Sequence, residues 1–487
     1  MSMRKAAGLL AAFGVWAGCN REKPPTEVPP PARQATSEKQ PASPPVDAET
    51  ALSQEPLFAT SLLELGGALY GGLSFSVSRA ELWRTDGTPK GTWRVVDLAP
   101  GREGAAVQML GANGGLLYFT APTPEAGTGV WRSDGTATGT RLLFPLELLV
   151  SRLSFATVKG RAVILVEAFQ SRSRELWSTD GTPEGSRPLL GRWESRDELQ
   201  EPSGLAVLEG RVYFSAHDRD AGTELWSSDG TPEGTRRVKD IVAGPYGSSP
   251  THLTTLGGKL YFRVDISGTQ ELWTSDGTPE GTERIEPLPG HVPSEGWVLA
   301  GNTLFFELVP NDGGAVELWK VDGTSWGAVR LGALASADKS RIPQRLGALG
   351  GKVFFWNHTP KTGTELWTSD GTRGGMSLLK DLAPGPASST PREWAVVNGT
   401  LYFQATTPGL GFELWKTDGT PEGTVLVKDL IPGVEGGDPR PVASLGGTLF
   451  FNVSRQGRGE LWRTDGTPQG TVPMRVLERF VPKPDKK

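Results

Sequence analysis

The sequence predicts an all-β fold, a β-propeller of about nine four-stranded blades, on three observations. A Leu-Trp pair (Val-Trp once) followed two residues later by Asp-Gly-Thr returns nine times. The tryptophans, Trp83, Trp131, Trp177, Trp226, Trp273, Trp319, Trp367, Trp415 and Trp462, stand 46 to 49 residues apart, a period that marks stacked supersecondary units. Each period holds four short strand signals separated by turn residues, and Gly (64) and Pro (39) together supply the many turns such a fold needs. Eight blades with a divergent extra unit, or two smaller rings, are the alternatives, because nine exceeds the usual four to eight.

Ahead of the repeats the chain reads as a leader and a tether. Arg4 and Lys5 precede an apolar run from Ala6 to Ala17, too short to span a bilayer as a mature helix. Ala17 and Gly18 stand directly before Cys19, and the segment resembles a bacterial lipoprotein signal. That resemblance implies a signal peptide over residues 1–18, a lipid on Cys19 and attachment to the cell envelope, at the outer membrane. Trp16 departs from the pattern, which usually has an aliphatic residue there. Cys19 is the only cysteine, so no intramolecular disulfide supports the fold. Residues 20–56 are rich in Pro, Ala, Ser, Thr, Glu and Lys and cannot bury a core; with Cys19 they are expected to form a disordered tether. The repeats occupy residues 57–480, and residues 481–487 are expected to be a disordered tail.

The fifth repeat shows the blade most clearly. His252–Leu256 is a short strand ended by Gly257-Gly258, a pair suited to a primed hairpin turn with positive φ. Lys259–Val264 is a second strand of aromatic and branched residues. Glu271–Asp276 is the third, and Gly277-Thr-Pro-Glu-Gly281 turns into a fourth at Thr282–Pro287. This order is similar to that of the Trp-Asp-repeat propellers. The phrase Glu-Leu-Trp-x-Thr/Ser-Asp-Gly-Thr resembles the ELWxxDGT-repeat family of bacterial surface proteins over residues 57–480, and its members largely lack an assigned activity. The Asp-Gly-Thr turn is also similar to the Asp box of sialidase-type propellers, which is not itself catalytic.

A side chain that recurs nine times is read as scaffold. Burying each motif tryptophan contributes at most roughly 4–6 kcal/mol, from roughly 150–250 Å² at about 25 cal/mol per Å². The aspartates Asp86, Asp134, Asp180, Asp229, Asp276, Asp322, Asp370, Asp418 and Asp465 are expected to accept backbone N–H groups of their own turns. The glutamates two residues before the tryptophans, with Gly129 in the second repeat, are expected to satisfy a backbone donor or an arginine of the next blade. Asp97, Asp240, Asp381 and Asp429 read as turn caps.

Function is therefore sought where the repeats differ. The net charge of −5, without a basic stripe, excludes nucleic acid as a partner. No His-x-x-x-His pair, Gly-x-Ser-x-Gly elbow or phosphate loop occurs, so no cofactor, metal or catalytic residue is expected. Long variable connections between strands two and three, and between blades, share one end of a propeller, where recognition residues usually sit. Arg192, Trp193 and Arg196, with Tyr246, Trp356 and His358, are the candidates there for a protein or glycan ligand. The expected function is a lipid-anchored envelope binding or scaffold protein and not an enzyme; the alternative is a hydrolase or lyase of extracellular polysaccharide.

Overall fold

Each repeat folds into one antiparallel sheet whose four strands follow sequence order, and nine such sheets form a nine-bladed propeller. The structure, a computed structural model, describes residues 56–75, 81–100, 106–122, 127–146, 150–168, 173–194, 204–266, 269–285, 291–310, 314–323, 328–334, 347–455 and 458–476. Cys19, the tether, Arg196 and the C-terminal tail lie outside the described residues. Among the described residues no helix occurs. Residues 49–487 form one compact unit.

In the first blade the strands are Phe58–Leu65, Ala68–Ser74, Glu81–Thr85 and Trp93–Asp97. In the fifth they are Thr251–Leu256, Lys259–Ile266, Thr269–Ser275 and Glu283–Arg284, within a few residues of the sequence expectation. First strands of neighbouring blades lie beside one another, so they surround the axis and the fourth strands form the rim. The second strands are the core. Phe119, Phe214, Phe262, Phe306, Phe355, Phe403 and Phe451 are fully buried between blades, as alternation on a sheet covered on both faces requires.

The Asp-Gly-Thr turns behave as expected in eight blades; that of Asp322 runs into residues outside those described. In the fifth blade Asp276 Oδ1 accepts the Thr278 N–H (2.9 Å) and hydroxyl (2.7 Å), and Gly281 N donates to Thr278 Oγ1 (2.9 Å). These hydrogen bonds from threonine hold the carboxyls of Asp180, Asp276, Asp370, Asp418 and Asp465 below the usual range. Gly277, at φ +93°, faces the Tyr213 hydroxyl of the preceding blade, and a Cβ there would collide with it. Tyr70 meets Gly135 and Tyr402 meets Gly466 in the same way.

Ring closure repeats this contact. Phe450 of the ninth blade packs on Gly87 of the first. Leu57, Leu69 and Trp83 share a core with Phe450, Leu461 and Met474. Asn452 accepts the Ala59 N–H (3.2 Å) and donates to the Ala59 carbonyl (2.8 Å), and Leu461 N donates to Leu57 O. The last strand, Val472–Pro473, stays in its own sheet, so blades one and nine close face to face without exchanging a strand.

Candidate functional site

The connections between the second and third strands, and between blades, gather at the end opposite the Asp-Gly-Thr turns. There the glutamate of the repeated phrase takes two different settings. In blades one, three, five, six and nine it binds its own tryptophan and an arginine of the fourth strand, or in blade nine one two residues beyond that strand. Glu81 Oε2 accepts Trp83 Nε1 (3.1 Å) and Oε1 accepts Arg94 Nη1 (2.7 Å). Glu271 pairs likewise with Trp273 (3.0 Å) and Arg284 (2.8 Å), and Glu460 with Trp462 (3.0 Å) and Arg475 (2.7 Å). The arginine belongs to the same blade, not to the next one as expected. In blade two, where Gly129 replaces the glutamate, Trp131 Nε1 donates to the Ala121 carbonyl (3.3 Å).

Blades four, seven and eight differ. Glu224, Glu365 and Glu413 are completely buried and accept bonds from the loop leading to the next blade. Glu365 takes the N–H groups of Leu382 (2.8 Å) and Ser389 (3.0 Å) and the Ser389 hydroxyl (2.6 Å). Glu413 takes Leu430 N (2.7 Å) and Gly437 N (3.1 Å), and Glu224 takes Val242 N (3.0 Å) and the Ser248 hydroxyl (2.5 Å). The loop thus folds back onto the head of the third strand and is clamped at both ends. Its residue before a proline is left-handed in all three copies: Ser249 (φ +45°), Thr390 (+43°) and Asp438 (+42°). With the glutamate turned away, the indole N–H groups of Trp226, Trp367 and Trp415 have no partner among the described residues. Burial pushes the Glu224 and Glu413 carboxyls up to about 7 and raises that of Glu365.

The residues singled out from the sequence do not converge. Trp193 is a correction: it lies on the long fourth strand Arg187–Glu194, opposite Arg174, and is 6 % exposed against Phe214 of the next blade. The segment expected to be a loop continues the ladder, and Trp193 fills the gap between blades three and four. Arg192 is a second correction, since its Nε donates to Glu175 (2.7 Å) and so supplies the scaffold arginine of blade three. Trp356 is half-buried in a second strand opposite Leu366. His358 Nδ1 faces Thr364 Oγ1 (3.1 Å), as His217 faces the equivalent Thr223 (3.3 Å). Both threonines are buried, so neither His-Thr pair presents a hydroxyl to a substrate. Among the described candidates Tyr246 is the one fully offered to solvent, 87 % exposed at the tip of the blade-four loop.

Sequence reasoning missed a charged cluster where the first strands of blades eight and nine begin. Arg392 donates to Gln404 Oε1 (2.9 Å) and Asp438 Oδ1 (3.3 Å), and its guanidinium carbon lies 4.0 Å from the Phe412 ring centroid. Arg440 Nη2 donates to Asp438 Oδ2 (2.9 Å). A signal existed: Lys-Asp-Leu or Lys-Asp-Ile, with Pro ten residues after the aspartate, occurs at Lys239, Lys380 and Lys428 and marks the clamped loops.

Around the axis each first strand pairs on one side only, with its own second strand, and leaves its other backbone edge without a ladder. At one register of this strand stand Glu64, Ala112, Thr157, Val207, Leu299 and Val396, all exposed and all uncharged but the first.

No family model matches the chain, and no curated protein matches it. Solved structures do. A prolyl endopeptidase gives a TM-score of 0.40 at 14 % identity over 69 % of this chain and 51 % of its own. A puromycin hydrolase gives 0.36 at 15 % identity over 71 % and 58 %. A puromycin-hydrolysing peptidase of Mycobacterium tuberculosis gives 0.36 at 13 % over 72 % and 59 %. The chain thus spans little more than half the length of these enzymes, and the likeness is one of fold. They bear on one expectation, that of a binding scaffold that is not an enzyme: the propellers similar to this chain are those of peptidases.

Proposed function

We propose that this chain serves peptide hydrolysis by admitting and aligning an extended peptide along the propeller axis. The observation that supports the reading is the set of nine axial strand edges, whose unladdered N–H and C=O groups match the spacing of an extended main chain. The neutral register of Ala112, Thr157, Val207, Leu299 and Val396 suits passage with little side-chain selection. Net gains of about 0.5–1.5 kcal/mol per hydrogen bond, over several bonds, correspond to a dissociation constant on the order of 0.1 mM. Lipidation at Cys19 is part of the same proposal and is tested by the mass of the N-terminal peptide.

The experiment measures fluorescence anisotropy of labelled unstructured peptides with the full chain, beside the same peptides N-methylated at alternate residues, while mass spectrometry follows cleavage. Main-chain recognition predicts binding of the first set and at least about tenfold weaker binding of the second. Equal binding of both sets, or none, refutes it.

A further inference from the structure

The three clamped loops share a left-handed residue followed by proline, and charge enters them unevenly. The loop leaving blade four reads Ser249-Pro250-Thr251, that of blade seven Thr390-Pro391-Arg392 and that of blade eight Asp438-Pro439-Arg440. The first closes on Glu224 with no charge at these positions, so the clamp itself needs neither arginine nor aspartate. The added charges meet at the seam between blades eight and nine, where two guanidiniums share one acid. Arg392 Nη2 donates to Asp438 Oδ1 (3.3 Å), and Arg440 Nε and Nη2 donate to Oδ2 (3.2 and 2.9 Å). The group is held from beneath. Gln404, 1 % exposed, accepts Arg392 Nε (2.9 Å) and donates to the Pro439 carbonyl (3.1 Å), while Asp438 N donates to the Phe412 carbonyl (3.1 Å). Its outer side is open: the Arg392 and Arg440 side chains are 49 % and 53 % exposed, and among the described residues neither Nη1 donates a hydrogen bond. A second pair of guanidiniums stands beside it. Ser454 N donates to the carbonyl of Gly437, the residue before Asp438 (2.7 Å), and directly after Ser454 comes Arg455, which faces Arg458 across the hairpin. Both are exposed, and neither forms an ion pair among the described residues. Like charges directly opposite in a ladder repel, so this tip has positive charge to spare for an anion. Glu393 and Glu435 are the other acids of these segments, and guanidiniums remain in excess in a chain whose net charge is −5.

We propose that the seam between blades eight and nine is a carboxylate-binding site that takes the C-terminal carboxylate, or an acidic side chain, of a peptide. The proposal rests on the reading of the axis as a peptide passage, since Arg392 and Arg440 are the first residues of two axial strands at their loop-face end. The two oxygens of a carboxylate match the fork of a guanidinium, and forks already fixed by Asp438 and Gln404 need little ordering when the ligand arrives. Asp438 has two opposed effects: it aligns the two guanidiniums and it neutralises one of their charges. Binding at so open a site is modest and falls with salt.

Fluorescence anisotropy with the full chain tests this. The probes are one neutral peptide labelled at its N-terminus, as free acid and as C-terminal amide, and the amide carrying a single internal Glu. The free acid or the Glu peptide is expected to bind about threefold or more tighter than the plain amide, and about 0.5 M NaCl should remove the difference. A gain for the free acid alone assigns the C-terminus, and a gain for the Glu peptide alone assigns the side chain. Arg440→Gln should abolish the preference, whereas Asp438→Asn, which removes the competing acid, should increase it. Loss of the preference in both variants is what a loosened seam gives and overturns the proposal. Should the variants not fold, the wild-type preference and its salt dependence still decide. Equal binding of all three peptides, with N-methylation of the main chain still weakening each, overturns this site and leaves the axial reading standing; absence of binding by every peptide overturns both.

Discussion

Removing the Glu81 carboxylate tests the scaffold role of the repeated phrase at the most buried of the copies that bond their own tryptophan. Glu81 is 1 % exposed, and the indole it bonds, Trp83, is fully buried. Glu81→Ala deletes a charge-assisted hydrogen bond, about 1.5–3 kcal/mol, and strands a buried N–H. The Arg94 contact adds little, about 0.5 kcal/mol, because that side chain is 43 % exposed and screened by solvent. A loss of about 2–4 kcal/mol is expected, read as a lowered urea midpoint at constant slope. Trp83→Phe removes the donor, so Glu81→Ala made on that background should cost about half as much, and the double-mutant cycle isolates the coupling. A single-mutant change below about 0.5 kcal/mol, or full additivity, would refute the assignment of the glutamate–indole bond as a structural tie.

Three other outcomes follow from the same geometry. Asn452→Ala deletes both bonds to Ala59 and should lower stability by about 1–2 kcal/mol, with faster proteolysis near residue 57. Gly281→Ala drives a Cβ into the Asp276 carboxylate and should lower stability by about 1–3 kcal/mol, read from a lowered urea midpoint; Asp276→Ala in addition should recover part of it. Glu224 has a native value of about 7 against an ordinary 4.5, so the folded chain binds the extra proton and is most stable below about pH 4.5 as far as this group is concerned. That contribution fades as pH rises through 7, so Tm should fall between pH 5 and 8, and Glu224→Gln should reduce the slope.

The blades were legible because their determinants are local and repeated. The Gly-Gly hairpin at Gly257-Gly258 and the Asp276 turn carry their own backbone chemistry, and nine copies removed ambiguity of period. Trp193 was misread because a strand that lengthens beyond the repeat looks, in sequence, like a polar loop; only its ladder with Ser173 and Arg174 reveals it. The two settings of the glutamate were hidden for another reason. Whether Glu413 meets Trp415 or Gly437 depends on a loop that returns across more than twenty residues. The Arg392–Asp438–Arg440 cluster likewise joins two blades and has no signature within either repeat.

The aromatic-on-glycine contact has a consequence for where such a chain can begin. Phe450 meets Gly87 across the closure as Tyr70 meets Gly135 and Tyr402 meets Gly466 between consecutive blades. Each blade but the third thus offers an aromatic plug forwards to a glycine socket of the next, Gly230 meeting Val158 and Arg161 instead, and the junction between the termini is one more instance of it. The start point of the polypeptide is then a matter of genetic punctuation, and a chain reopened at another between-blade junction would inherit the same nine sockets in the same order.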